Sequence, residues 1–427
     1  MTMKMTKGVK RLKASRVLWI AALAGAVAAC GPAGNTDDPD AGIDGKKKNV
    51  HEGAISADET WTKADSPHEV VGDVYVQDNA TLTIEPGAVV RFARNTGLMI
   101  GYSSETGYLK AKGTADEPIT FTTALPNKEP GAWSYIWLEN GGAASVLEHA
   151  IIEYAGGDTS TYNGALVVMG EASKPTVNHN LFRNNKGYGV LGQGNGSFTQ
   201  FTNNTITSSE LNPIFLDTLS VGTLGDGNVL TGNGKDAIVS SGGLAISNQA
   251  RWRDQGVPYR HEGDFIYIDS EQNTAMLTLD PGVVIQFEAN NGLRVGYSSN
   301  GALRAIGTAE KPVVFRAMAG NENPGVWEGV QFYGGSVEGS EDNPQSSVLR
   351  NVLIQHAGKD GELTGTGALH LEESKPLLDN VTVEKSRVGL KLTGAANKGH
   401  PIDYFDSRVH FGTGENANGT DVIDDRS

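Results

Sequence analysis

Leu82-Thr83-Ile84-Glu85-Pro86-Gly87 decides the fold, because it returns as Leu277-Thr278-Leu279-Asp280-Pro281-Gly282. The first segment continues as Ala88-Val89-Val90-Arg91-Phe92 and Gly101-Tyr102-Ser103-Ser104. The second continues as Val283-Val284-Ile285-Gln286-Phe287 and Gly296-Tyr297-Ser298-Ser299. Gly113-Thr114-Ala115 answers to Gly307-Thr308-Ala309, Pro130-Gly131-Ala132-Trp133 to Pro324-Gly325-Val326-Trp327, and Ser173-Lys174-Pro175 to Ser374-Lys375-Pro376. The chain is an internal duplication, and a repeat on this scale points to an architecture that grows along one axis.

Between these landmarks apolar residues alternate with polar ones in short runs. Leu82 and Ile84, Val90 and Phe92, Leu98 and Ile100, Leu109 and Ala111, Ile119 and Phe121, and Ile136 and Leu138 fall on one face of successive strands. The other face is expected to be polar. Gly, Asn, Asp and Pro interrupt the runs, and no helical period follows residue 50. Strands this short, with no helical crossovers, satisfy their backbones by coiling so that each turn bonds to the next. Phrases such as Thr83-Ile84-Glu85-Pro86-Gly87, Pro130-Gly131-Ala132-Trp133 and Asn184-Asn185-Lys186-Gly187-Tyr188-Gly189-Val190 resemble those of right-handed parallel β-helix proteins of the pectate-lyase-like superfamily. The expected fold is all-β: a right-handed parallel β-helix with a first half over 56–250, a second half over 251–411 and a flexible tail over 412–427. Asn178, Asn180, Asn184, Asn185, Asn203 and Asn204 are expected as turn residues, tolerant of left-handed angles and bonded from coil to coil.

The N-terminus reads as an address. Lys4, Lys7, Lys10, Arg11, Lys13 and Arg16 precede the apolar run Val17 to Ala29, the pattern of a signal peptide over 1–29. Val27-Ala28-Ala29-Cys30 resembles the lipobox of bacterial lipoproteins, and Cys30 is the only cysteine in the chain. That resemblance implies cleavage before Cys30 and acylation of its thiol and amine, giving a durable membrane anchor. Gly31 after the cysteine implies the outer membrane under the enteric sorting rule. Residues 30–55, rich in Gly, Pro, Asp and Lys up to residue 49, are expected as a flexible tether. Removing the six cations of residues 1–29 from the 35 Lys and Arg leaves 29 against 50 acids, a net charge of −21. Such a field repels phosphate backbones and excludes nucleic acid as the expected partner.

Chemistry is harder to place. The Trp-Ile-Asp-His, Gly-His-Gly and Asp-Pro-His stretches of pectate lyases, polygalacturonases and alginate epimerases are missing. A lyase that gathers Lys, Arg, Tyr and His from different coils would leave no linear motif. Tyr102 and Tyr297, with Trp133 and Trp327, are paired between the copies; each pair is either structural or a flat ring for a sugar. The copies differ after Ile152 and Ile354. One reads Glu153-Tyr154-Ala155-Gly156-Gly157-Asp158, the other Gln355-His356-Ala357-Gly358-Lys359-Asp360-Gly361-Glu362. His356, Lys359, Asp360 and Glu362, or Glu153, Tyr154 and Asp158, are candidate participants in proton abstraction beside a uronate, and equally a polar loop. Thr231 to Ile238 approaches a calcium-binding nonapeptide centred on Asp236, but without the adjoining copy that would share an ion, so it reads first as a turn. No cofactor is expected beyond an option on calcium. The expected function is a non-catalytic surface lipoprotein whose β-helix binds extracellular polysaccharide or matrix. The alternatives are a polysaccharide lyase or hydrolase, and a structural spacer or adhesin.

Overall fold

The computed structural model describes residues 49–141, 144–157, 162–242, 245–359 and 365–426. Within them the chain coils as a parallel β-helix, with three short strands to each full turn in the regular parts. One such turn runs through Val89–Phe92, Leu98–Ile100 and Tyr108–Lys112, and the next through Ile119–Thr123, Ile136–Leu138 and Val146–Glu148. Each strand pairs in parallel with its counterpart one turn on, as Val90 with Phe121, Leu98 with Ile136 and Leu147 with Ala111.

Strand alternation fills the interior. The twelve side chains assigned inward by sequence, from Leu82 to Leu138, are at most 1% exposed. They stack as ladders: Trp61, Ile84, Ala111, Leu147, Val177 and Phe201 in one row, and Val90, Phe121, Ile152, Phe182 and Ile206 in another. Corners turn through left-handed residues, among them Asn184 and Asn203 at φ 55°. Beside them runs an asparagine ladder. Asn180 Nδ2 donates to Asn204 Oδ1 at 3.0 Å, and Asn204 Nδ2 to Asn228 Oδ1 at 3.3 Å. At Gly187, in the Asn-Asn-Lys-Gly phrase, an added Cβ would lie 1.5 Å from the carbonyl oxygen of Asn163, so the close approach of two coils requires glycine.

The limits of the coil differ from the sequence expectation at both ends. Val50–Ile55, assigned to the tether, is a strand paired with His68–Val76. Thr420–Asp424, assigned to the tail, pairs with Val388–Thr393. Low apolar content misled the reading there, because a terminal coil needs only backbone pairing on one edge and one shallow inner side.

The two copies join unevenly. The row Leu98–Ile100, Ile136–Leu138, Gly164–Met169, Tyr188–Gln193 and Ile214–Asp217 passes through Ile238–Ser241 into Tyr259–Glu262 and Val284–Phe287. By repeat, Val284–Phe287 is the equivalent of Val89–Phe92, not of Leu98–Ile100. The true equivalent of Leu98–Ile100, Gly292–Val295, lies in a separate sheet with Ile266–Ile268, Gly329–Phe332, Leu369–Glu372, Val388–Thr393 and Thr420–Asp424.

Candidate functional site

Inner positions are nearly the same in the two copies. Trp133 stacks on Phe92 at 4.0 Å and Trp327 on Phe287 at 4.4 Å. Their indole N–H groups donate to Glu153 O and Gln355 O, each at 2.8 Å. Both rings are 0% exposed. The option of a sugar platform at Trp133 and Trp327 is therefore corrected: these rings face inward and carry the core.

Outward positions differ sharply. In the first copy the middle strand of each turn presents Tyr75, Met99, Trp137, Val167, Leu191 and Phe215 at successive rungs. Met99, Trp137, Val167 and Leu191 form a second apolar cluster separate from the core, with Tyr75, Tyr135, Tyr162, Met169, Tyr188 and Phe215 packed against it. Trp137 is the hub. Tyr102 meets it edge-on at 5.5 Å, Tyr162 edge-on at 5.1 Å, and Tyr135 at 5.5 Å. Tyr102 is 41% exposed, so this outer layer reaches water through an aromatic ring.

The matching rungs of the second copy carry Tyr267, Arg294, Gln331, His370, Lys391 and Ile423. Arg294 replaces Met99, Gln331 replaces Trp137, His370 replaces Val167 and Lys391 replaces Leu191. The Arg294 guanidinium lies 3.7 Å from the Phe265 ring centroid, 5.0 Å from Tyr297 and 5.9 Å from Tyr267. Gln331 Oε1 accepts from Tyr333 OH at 2.7 Å and from Arg294 Nε at 3.1 Å, while Gln331 Nε2 is buried with no partner among the described residues. His370 shares a hydrogen bond between Nε2 and Thr393 Oγ1 at 2.9 Å; its Nδ1 is likewise buried and unpartnered among the described residues. Burial, then Lys391 and Arg294, lower the His370 imidazole to about 4, and burial foremost pushes the Tyr333 phenol up to about 12. At neutral pH this face offers a neutral imidazole, a protonated phenol and two cations. The carboxylates of Glu372 and Glu328 lie near the same phenol, so the face gathers donors, cations and acids together.

Residues 53–177 match the family model of a pectate-lyase like beta helix domain. Over those residues the chain has the pectate-lyase like beta helix domain, and the described residues together form a right-handed parallel β-helix. Comparisons with curated proteins and with solved structures return no match. For this β-helix the family description supports a polysaccharide-related role and leaves the ligand open.

The sequence-derived candidates do not converge. Glu153 is 4% exposed and is held by Thr122 Oγ1 at 2.9 Å and Arg183 Nε at 2.8 Å, so it is a strand-to-strand ion pair. Tyr154, at φ 64°, is a turn residue against the core. His356, at φ 63° and 7% exposed, is lowered by burial foremost. Lys359 turns away to Asn290 Oδ1 at 2.8 Å and Glu328 Oε1 at 3.5 Å, so the two make no base and neutraliser pair. Asp158, Asp360, Glu362 and Cys30, with the residues before 49 that were expected as a signal peptide and tether, lie outside the described residues. The Asp236 carboxylate accepts backbone N–H from Gly232 at 3.0 Å and Asn233 at 2.8 Å, closing its own turn. Among the described residues no group of three or more His, Cys, Asp or Glu is placed to hold a metal. Tyr297, 50% exposed, does stand at the surface, with its ring 4.8 Å from Tyr333. Sequence reading missed Arg294, Gln331, His370 and Lys391. Aligning the copies on Gly-Ala-Leu at 164–166 and 367–369, and asking which outward rungs change character, finds them.

Proposed function

We propose that this protein is a lipid-anchored, non-catalytic binder of extracellular polysaccharide at the outer membrane, whose β-helix contacts the glycan with the outward aromatic layer around Trp137. One observation carries the reading: rings of Tyr75, Tyr102, Tyr135, Trp137 and Tyr162 gather on one outer face, where the interior of the coil needs none of them. Flat rings held by neighbouring rings lose little freedom when a sugar stacks on them. The lipobox ending at Cys30 supports the anchor, and the acidic surface supports solubility outside the cell.

The test is affinity electrophoresis and calorimetry against a panel of neutral and acidic polysaccharides. Tyr102→Ala is expected to weaken retention about tenfold, the loss of one ring contact of about 1.4 kcal/mol. Unchanged retention on every glycan that the parent binds would refute the assignment of the surface. Shortened chains with unsaturated ends would favour instead a lyase, for which the cluster of Arg294, His370, Lys391 and Tyr333 is the motivating observation. Cys30→Ser is expected to move the protein to the soluble fraction, and continued membrane retention would remove the anchor.

A further inference from the structure

At one corner of the second copy, side chains from three successive turns converge. Asn290, Glu328 and Lys359 precede the strands Gly292–Val295, Gly329–Phe332 and Leu369–Glu372, which pair in that order. Lys359 Nζ donates to Asn290 Oδ1 at 2.8 Å and lies 3.5 Å from Glu328 Oε1, so an amine, a carboxamide and a carboxylate meet at one point. By repeat, the first copy carries Asn95, Ser134 and Gly157 at these places, so the fold asks for neither the acid nor the amine. Two of the three groups are held from behind. Asn290 stands at a left-handed corner, φ 65°, with its backbone N–H on Val326 O at 3.0 Å. Glu328, its side chain 14% exposed, accepts at Oε2 from Thr366 Oγ1 at 3.2 Å, and the same hydroxyl oxygen accepts the Lys359 backbone N–H at 3.3 Å.

From this arrangement we infer that Lys359 and Asn290 are a self-crosslinking pair, joined by an isopeptide bond between Nζ and Cγ with Glu328 carrying the proton. The free amine of Lys359 attacks Cγ of Asn290. As that carbon–nitrogen bond forms, Glu328 takes a proton from Nζ and passes it to Nδ2; the Cγ–Nδ2 bond then breaks and ammonia leaves. The carboxylate is restored, and no oxidant or further reactant is consumed. Holding amine and carbonyl together turns a slow bimolecular aminolysis into an internal step, and a placed proton carrier adds a factor of about 10²–10⁴. The product ties the first of the three turns to the third across 69 residues, over the turn between them. In a solenoid each turn touches only its neighbours and can open locally, so a covalent tie of this span makes three turns open together or not at all. The staple is independent of what the outer surface binds.

Mass spectrometry of the full chain purified in detergent tests it, intact and then by peptide mapping with fragmentation. The expected result is a mass one ammonia below that of the open chain and a branched peptide joining the segments around residues 290 and 359. Lys359→Arg, and Asn290→Gly, which suits the left-handed corner, should each abolish both signs while the near-ultraviolet circular dichroism stays that of the parent. Glu328→Gln should slow formation of the bond about a hundredfold, and alkaline buffer should speed it in the parent, because only the free amine attacks. In denaturing electrophoresis the parent should run ahead of Lys359→Arg. An open chain after prolonged incubation in alkaline buffer would overturn the crosslink. So would a loss of ammonia that survives in Lys359→Arg, since a succinimide at an Asn-Gly pair such as Asn291-Gly292 gives the same mass with no branched peptide. Bond formation at the parent's rate in Glu328→Gln would overturn the role given to the carboxylate.

Discussion

Replacing Trp133 by alanine separates a core role from a sugar-contact role. The indole is fully buried, stacked on Phe92 at 4.0 Å, and its N–H satisfies the carbonyl of Glu153 at 2.8 Å. Removing a buried tryptophan costs about 3–5 kcal/mol through lost transfer energy and the cavity left behind. The orphaned carbonyl adds about 1 kcal/mol, at the low end because the neighbouring coil can shift toward it. The expected loss is about 5 kcal/mol, read as a shift in urea unfolding followed by circular dichroism. Trp133→Phe keeps the stack on Phe92 and loses the N–H, so about 1–2 kcal/mol is expected. Trp327→Ala should behave alike, and the two losses should add within about 0.5 kcal/mol because they lie in different copies. Glycan affinity of the folded variants should equal that of the parent. A loss below about 1 kcal/mol, or binding abolished with stability intact, would refute the assignment of these rings to the core.

Three further outcomes are expected. Gly187→Ala forces a methyl group against Asn163 O, and a drop of about 2 kcal/mol or more, or failure to fold, is expected in the same urea assay; a neutral result would mean that the coils part freely there. Asn204→Leu removes the acceptor of the Asn180 backbone amide, one of the two bonds of Asn180 Nδ2 (that to Leu147 O stays) and the donor to Val177 O, and about 2–4 kcal/mol should be lost, with amide exchange accelerating at 180 and its neighbours first. Burial holds His51 and His370 at about 4 in the folded chain, whereas the unfolded chain takes up those protons near 6.5. Stability should therefore fall as pH drops from about 6.5 to about 4 and level off for these groups below that. His370→Gln should remove on the order of 3 kcal/mol of this slope, and an unchanged slope would show the imidazole to be solvated.

The architecture was readable because alternation and turn chemistry are local. Leu82 and Ile84 face inward for the same reason that any second residue of a strand does, and Gly187 and the Asn corners announce the turns. The outer layer was less visible. Strands were expected to be polar on their outer side, yet Leu98-Met99-Ile100, Ile136-Trp137-Leu138 and Leu166-Val167-Val168 are apolar at three consecutive positions, and that breach of period two marked a strand covered on both faces. The polar row of the second copy was invisible along the chain because its members stand 37 to 39 residues apart from Arg294 to Gln331 and from Gln331 to His370, and meet only when successive turns stack. Conversely, the gathering of His356 and Lys359 within four residues proved uninformative, since a left-handed corner at His356 sends neighbouring side chains to different partners.

The uneven joint at Ile238–Ser241 bears on how the two copies share the outside of the coil. The outer row of Met99, Trp137, Val167, Leu191 and Phe215 is continued by the ladder onto Val239, Arg260 and Gln286, and never onto Arg294 or Lys391. The gene was doubled, but the lane was switched at the splice. The apolar outer row of the first copy and the polar outer row of the second are therefore separate tracks, and a duplication that would otherwise lengthen one track has made two.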